Sequence, residues 1–258
     1  MGSLFEPNPD YVISCFWEFS SRYNSLYRHW ELNKDLIQNH IKEIQAYPKE
    51  LKDDIEKERE TYYKEKAAGK IHDEETVMFY EDDWSEEILM DYSDNMEPDI
   101  SFFPEFLKAS TLSLALGTFE NLLGELSEDI AKKLKVEVQL PEKPMPYISK
   151  FLYWFTKGCG MEITLSKENN RKLDAIRSIR NRFIHRINRD IPKNIQDTIS
   201  KMVNLTETDE LISNEFIEHS LLEISGLASK LETAYIKFLK QKDEDDFLDK
   251  LGIPEDLR

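Results

Sequence analysis

The chain has 258 residues, 40% hydrophobic and 11% aromatic, with eight glycines and a formal net charge of −17. That apolar and aromatic content is too high for a disordered chain, and so few glycines argue against a strand-and-turn architecture. The strong negative charge disfavours a protein that coats its whole surface with nucleic acid, because like charge repels phosphate.

Length alone allows one large helical domain with an extension, or two small domains. No stretch approaches the roughly 18 to 20 uninterrupted apolar residues that span a bilayer. The start, Met1 to Pro7, lacks a basic segment followed by an apolar one, so a cytoplasmic protein without a membrane partner is expected. Cys15 and Cys159 are too few for a disulfide framework and form no C-x-x-C pair, so both read as reduced thiols. The charge is unevenly spread. From Arg171 to Lys193, eight basic against two acidic residues give +6, leaving −23 on the rest, whereas Asp73 to Asp99 holds twelve acidic residues and no Lys or Arg.

In chain order, apolar residues from Val12 to Ile44 recur at three- and four-residue steps, which predicts a long helix from about Asp10 to Ala46 that ends at Pro48. Lys49 to Ala67 alternates Lys and Glu and reads as a solvated helix closed by Gly69. The acidic stretch carries enough apolar residues, among them Trp84, Ile88 and Leu89, to dock a short helix, with Pro98 and Pro104 bracketing the connection that follows. Glu105 to Leu134 is strongly amphipathic and predicts a central helix. Pro141, Pro144 and Pro146 predict a loop over Val136 to Pro146, with a short extended piece at Val136 to Val138. Tyr147 to Lys157 follows as an aromatic-rich helix ended by Gly158-Cys159-Gly160. Ser166-Lys167-Glu168-Asn169 marks another helix start, its pattern running to Pro192, and Asn194 to Val203 and Asn214 to Gln241 supply two more.

The informative segment is Ala175 to Arg186, in which Arg180-Asn181-Arg182-Phe183-Ile184-His185 lies on a helix inside the basic cluster. It resembles the signature of the HEPN superfamily, an Arg followed by a polar residue and, after four to six intervening residues, a His. Thr118-Phe119-Glu120-Asn121-Leu122-Leu123 is similar to the family's earlier core helix, which often carries an acidic residue facing the site, so the resemblance makes Glu120 a supporting residue. It covers roughly Phe106 to Gln241. It implies a HEPN-like helical bundle over 101–241; residues 1–100 have no counterpart in it and are expected, from periodicity and charge, to be a long helix and acidic helical extension, with 242–258 an acidic tail, in an all-α fold. It also implies a metal-independent endoribonuclease of a toxin, abortive-infection or phage-defence system that takes RNA, dimerises with its motifs face to face, and answers to an antitoxin or regulatory protein.

The residue chemistry fits on its own terms. Cleavage of RNA through its 2′-hydroxyl needs a proton acceptor, a donor for the departing 5′-oxygen and positive charge on the phosphorane. His185 can accept or donate a proton near neutrality. Arg180 stays charged and forks two hydrogen bonds onto phosphate. Asn181 can bond a phosphate oxygen or orient the imidazole, and Arg177, Arg182, Arg186 and Arg189 are candidate RNA contacts. On a continuous helix, five residues rotate Arg180 and His185 about 140° apart. A helix distortion or a second subunit would bring them together, and Ile179, Phe183 and Ile187 form a stripe that serves either as dimer contact or as core. No cofactor is called for, and His29, His40, His72 and His219 lack metal-ligand spacing. Tyr153, Trp154 and Phe155 are either a base-stacking platform or core. Cys159, between two glycines, is either an exposed thiol or an ordinary loop cysteine. Family toxins silenced by tyrosine modification carry Tyr two residues after the His, where this chain has Ile187. Two other readings remain: a HEPN protein that binds without cleaving, and a helical interaction protein acting through its acidic surface.

Overall fold

The computed structural model describes residues 3–70, 85–163, 165–185, 191–203 and 212–250. Among them are six α-helices and no strand: α1 (Ser14–Ala67), α2 (Ser85–Leu134), α3 (Tyr147–Tyr153) continued by a π-helical turn (Trp154–Gly158), α4 (Lys167–His185), α5 (Lys193–Val203) and α6 (Asn214–Lys250). The expected all-α class is therefore observed, and no described helix is long and apolar enough to cross a membrane. The chain divides into two compact units, residues 1–30 with 108–258, and residues 31–107.

In the first unit the opening turns of α1 are part of the core. Phe19 meets Phe5 edge-on at 5.1 Å and Phe119 at 6.3 Å between ring centroids, and stacks on Tyr23 at 4.8 Å. Tyr23 is buried and donates its hydroxyl to the carbonyl of Leu221 on α6 at 2.7 Å. The segment before α1 is sewn down by Asn24, whose Oδ1 accepts from the N–H of Leu4 and Phe5 while its Nδ2 donates to the Phe5 carbonyl. Ser225 and Glu232 on α6 take the Leu4 carbonyl and the Asn8 N–H. Residues 1–30, expected to belong to an N-terminal extension, thus pack into the C-terminal bundle. The cause is their aromatic content: Phe5, Phe16, Phe19, Tyr23 and Trp30 are all buried, and side chains of that size stabilise chiefly by leaving water.

The second unit begins within α1, and α1 does not stop at Pro48 as expected but runs through it. Proline inside a helix removes one hydrogen bond at a cost of about 3 kcal/mol. The Lys- and Glu-rich turns that follow carry the helix on regardless, and buried Ile44, Ile55 and Tyr62 anchor it on both sides. The helix closes where the sequence indicated, with Gly69 at φ 69°. Pro98 and Pro104, expected to bracket a connection, likewise lie inside α2. Of the acidic Asp73 to Asp99 stretch, the part before Ser85 is outside the described residues and the part after it is helical. The expected tail from 242 is not separate either, because α6 continues to Lys250; residues 251–258 are outside the described residues.

Between α2 and α3, Val136 to Val138 forms no regular element. Lys135 adopts φ 52° and the N–H of Val136 returns to the Ala131 carbonyl at 3.0 Å, a helix-ending loop usually built on glycine. After α3, the π-helical turn depends on Gly158: a Cβ there would lie 2.9 Å from Trp154 Cδ1, and Trp154 is buried.

Phe19→Ala removes the ring at the centre of the aromatic cluster, and the expected cost is about 3–5 kcal/mol. Urea denaturation followed by circular dichroism should show a lower midpoint with an unchanged slope; a loss below about 1 kcal/mol would mean that the N-terminal segment is not part of the cooperative core.

Candidate functional site

Helix α4 starts at a reciprocal cap: Ser166 Oγ accepts from the Asn169 N–H at 3.1 Å, and Asn169 Oδ1 faces the Ser166 N–H at 3.3 Å. From there Leu173, Ala175, Ile176 and Ile179 are buried, at helical spacing, and this stripe fixes the rotation of α4 about its axis. Arg177, Arg180, Asn181 and Arg182 consequently lie on the partly exposed remainder.

Arg180 reaches Glu120 on α2, with Nη2 and Oε1 3.5 Å apart and side chains 22% and 26% exposed. The structure therefore brings together the two residues that the sequence singled out on separate helices. Nε of Arg180 and Nη2 of Arg182 are buried without a hydrogen-bond partner among the described residues. Leaving a charged donor unsatisfied is costly. Arg177 is held by Asp174, its neighbour one turn earlier, at 3.1 Å. Lys172 pairs with Glu168 and with Glu223 of α6, whose carboxylate holds the ammonium pKa above its ordinary value. Half of the six described basic residues between 171 and 193 are thus already matched to a carboxylate. The local field is weaker than the sequence count of +6 suggests.

His185 is the last residue of α4. Its side chain is outside what the structure describes, as are Arg186 and Arg189. The helix is regular from Arg180 to His185, so a distortion does not close the 140° between them. Ile179, proposed as one end of a dimer stripe, is fully buried within its own chain and serves the core; Ile187 is outside the described residues.

The aromatic run splits. Trp154 and Phe155 are buried, whereas Tyr153 is 51% exposed. Tyr153 stands at a cavity of about 470 Å³ between α3 and the first half of α4, with Asn170 and Asp174 opposite it. Sequence reasoning missed this cavity, although Asn170 and Asp174, four residues apart, share one face of a helix. A second buried polar cluster was also missed. Tyr235 of α6 donates to Asp129 of α2, and burial together with that carboxylate pushes the phenol well up. The nearby Cys15 thiol is raised to about 12 by burial and by Asp129 and Glu125. Cys159 is raised to about 11 by burial. Among the described residues no group of three or more His, Cys, Asp or Glu gathers as a metal would require.

No protein-family model matches the chain, and comparisons with curated proteins and with solved structures return no match either.

With Cys159 near 11, roughly one thiol in a thousand is ionised at pH 8, and Cys15 is lower still. Ellman's reagent should therefore label the folded chain slowly at pH 8 and both thiols at once in guanidinium. Rapid labelling of Cys159 in the folded state would show that its thiol is solvated.

Proposed function

We propose that this chain is a cytoplasmic, HEPN-type, metal-independent endoribonuclease of a toxin–antitoxin, abortive-infection or phage-defence system. One observation carries the reading. Arg180 is held by Glu120 across two helices, partly buried, and its own Nε, like Nη2 of Arg182, has no hydrogen-bond partner among the described residues. An arginine with only a structural duty would be expected to have its donors satisfied. One kept in place by a single long contact, with a donor to spare, is suited to an anion that is not always there.

In the proposed reaction the 2′-hydroxyl of RNA loses its proton and its oxygen bonds to phosphorus. The bond to the 5′-oxygen breaks, and that oxygen takes a proton as it leaves. A cyclic 2′,3′-phosphate and a 5′-hydroxyl result, with no oxidant and no metal in the balance. His185 moves a proton, Arg180 neutralises the phosphorane, Asn181 orients the phosphate or the imidazole, and Arg182 with Arg177 holds the flanking backbone. Glu120 keeps the Arg180 guanidinium from turning away. Two proton transfers and one motif histidine per chain favour a homodimer with a shared cleft, in which Arg180 and His185 need not share a helix face. An antitoxin or regulatory protein would control such an activity by covering that cleft.

A second reading, binding of RNA or a protein without cleavage, is favoured by the pairing of Lys172, Arg177 and Arg180 with carboxylates. Weak phosphate attraction suits a recognition module as well as an enzyme.

Incubation of the purified chain with total RNA in EDTA decides between them. Cleavage is expected to persist in the chelator, to slow as salt rises, and to fall by about 10²–10⁴-fold in Arg180→Ala and His185→Ala. Equal cleavage by all three proteins, at matched soluble levels, would sink the nuclease reading. RNA bound but not cut by the unaltered chain would leave the binder.

A further inference from the structure

The cavity between α3 and α4 lies on the same helix as the Arg180 motif and is taken up by nothing in the reaction above. Its volume, about 470 Å³, falls in the range of about 300–1,000 Å³ common to small-ligand sites. Leu173, Ile163 and Leu165 supply apolar lining, and Tyr153, Asn170 and Asp174 supply an exposed ring, an amide and a carboxylate. A cleft of mixed lining with an exposed aromatic ring and a few polar groups suits an unpaired nucleobase, which stacks on the ring and is read along its edge.

The polar groups narrow the choice of base. A carboxylate accepts and never donates when ionised. Guanine presents N1–H and an N2 amine side by side, two donors for one carboxylate. Uracil offers one N–H flanked by carbonyls that the carboxylate repels, and adenine and cytosine pair a single amine with an acceptor. Asn170, one turn before Asp174 on the same face, supplies an amide N–H for the guanine carbonyl. Asp174 also holds Arg177 at 3.1 Å, and that contact links the cavity to the phosphates. From Asp174 the helix rises about 4.5 Å to Arg177 and as much again to Arg180, turning toward the motif. A nucleotide with its base in the cavity would lay its phosphates against those two arginines in turn.

We propose that this cavity is a nucleobase subsite that takes a guanine of single-stranded RNA, with Tyr153 stacking on the base, Asp174 reading its donor edge and Arg177 passing the chain to Arg180. The ligand class rests on the ribonuclease reading. The recognition geometry does not.

The test uses the full chain carrying His185→Ala, so that RNA is not consumed, and three fluorescein-labelled single-stranded probes: oligouridylate, the same with one central guanosine, and the same with inosine, which lacks the N2 amine. Fluorescence anisotropy should show the guanosine probe binding about tenfold more tightly than oligouridylate, with inosine between them. Tyr153→Ala should bring the guanosine probe down to the oligouridylate level. Asp174→Asn should erase the difference between probes while raising affinity for oligouridylate, because it releases Arg177 for phosphate; a purely structural Asp174 would not produce that split. All three variants alter exposed or helix-end positions, and circular dichroism checks that they fold. Equal binding of the three probes, a guanosine preference that survives Asp174→Asn, tighter binding of an adenosine probe, or no binding at all would overturn the subsite. Guanosine preference in a chain whose unaltered form cuts no RNA would sink the nuclease reading and leave the subsite. Cleavage without preference would do the reverse.

Discussion

Everything at the candidate site depends on the rotation of α4, which is set by burial rather than by the charged residues that attract notice. Ala175, Ile176 and Ile179 are completely removed from water and Leu173 nearly so. Turning the helix by one residue would expose this stripe and bury guanidinium groups in its place. Burying an unpaired charge costs several kcal/mol, so the alternative is closed. With the stripe inward, Arg180 has one direction to point, and Glu120 on α2 is there to meet it. Glu120 is placed in turn by its own neighbours, since Leu116, Phe119 and Leu123 of α2 are all buried. Phe119 also contacts Phe19 of α1, so the first thirty residues contribute to holding the helix that carries the acid.

The parts legible in the sequence were those governed by periodicity. Helical spacing placed α4, α5, α6 and the part of α2 from Glu105 on, with the core face of α4 and much of that of α2, and Gly69 and the Ser166–Asn169 cap marked real helix ends. Arg180 and Glu120 were both singled out by the one resemblance, and they are partners across two helices. What was misread turned on competition between local and nonlocal terms. Pro48, Pro98 and Pro104 are local signals to stop, yet each lies inside a helix; at Pro48 helix formers and buried Ile44, Ile55 and Tyr62 on either side outweigh it. Residues 1–30 looked like part of an extension because their aromatics have no partner nearby in sequence; Leu221, Ser225 and Glu232 lie about two hundred residues away. The cavity at Tyr153 was invisible for the same reason, since its two walls come from different helices.

The electrostatics of α4 differ in kind from what a charge count suggests. A run of cations predicts a surface that draws phosphate from a distance, and pairing with Glu120, Asp174 and Glu223 removes much of that field. Pairing does not remove the capacity to bind. Ion pairs with this much exposure are worth at most about 1 kcal/mol, so a phosphate that offers two acceptor oxygens to a guanidinium can displace a carboxylate at little cost. The carboxylates then act as placeholders that keep each side chain extended and near its working position. Such a surface attracts passing polyanions less than the charge count suggests and favours a ligand that fits closely enough to exchange several pairs together. Were so acidic a chain to bind RNA, as proposed, it would need selectivity of this sort, because the net charge of −17 gives no long-range help and short-range fit must supply the affinity.

Short-range fit also bears on why a single helix is an incomplete site. α4 stays regular to His185, so positions 180 and 185 lie about 140° apart around its axis, and rotating α4 does not bring them onto one face. Asn181 and His185 share a face, whereas Arg180 is turned toward Glu120. The groups on the two faces therefore act on one phosphate only if the RNA wraps around the helix or if another chain supplies the missing face. Wrapping would have to pass the buried stripe that anchors α4 in the bundle, which blocks one route around it. Asp174 lines the cavity at Tyr153 and pairs with Arg177. Under the proposed reading, a strand entering there would reach Arg180 with its next phosphates and still lack a proton acceptor on that side. The imidazole of a second copy would then supply it without distortion of either helix.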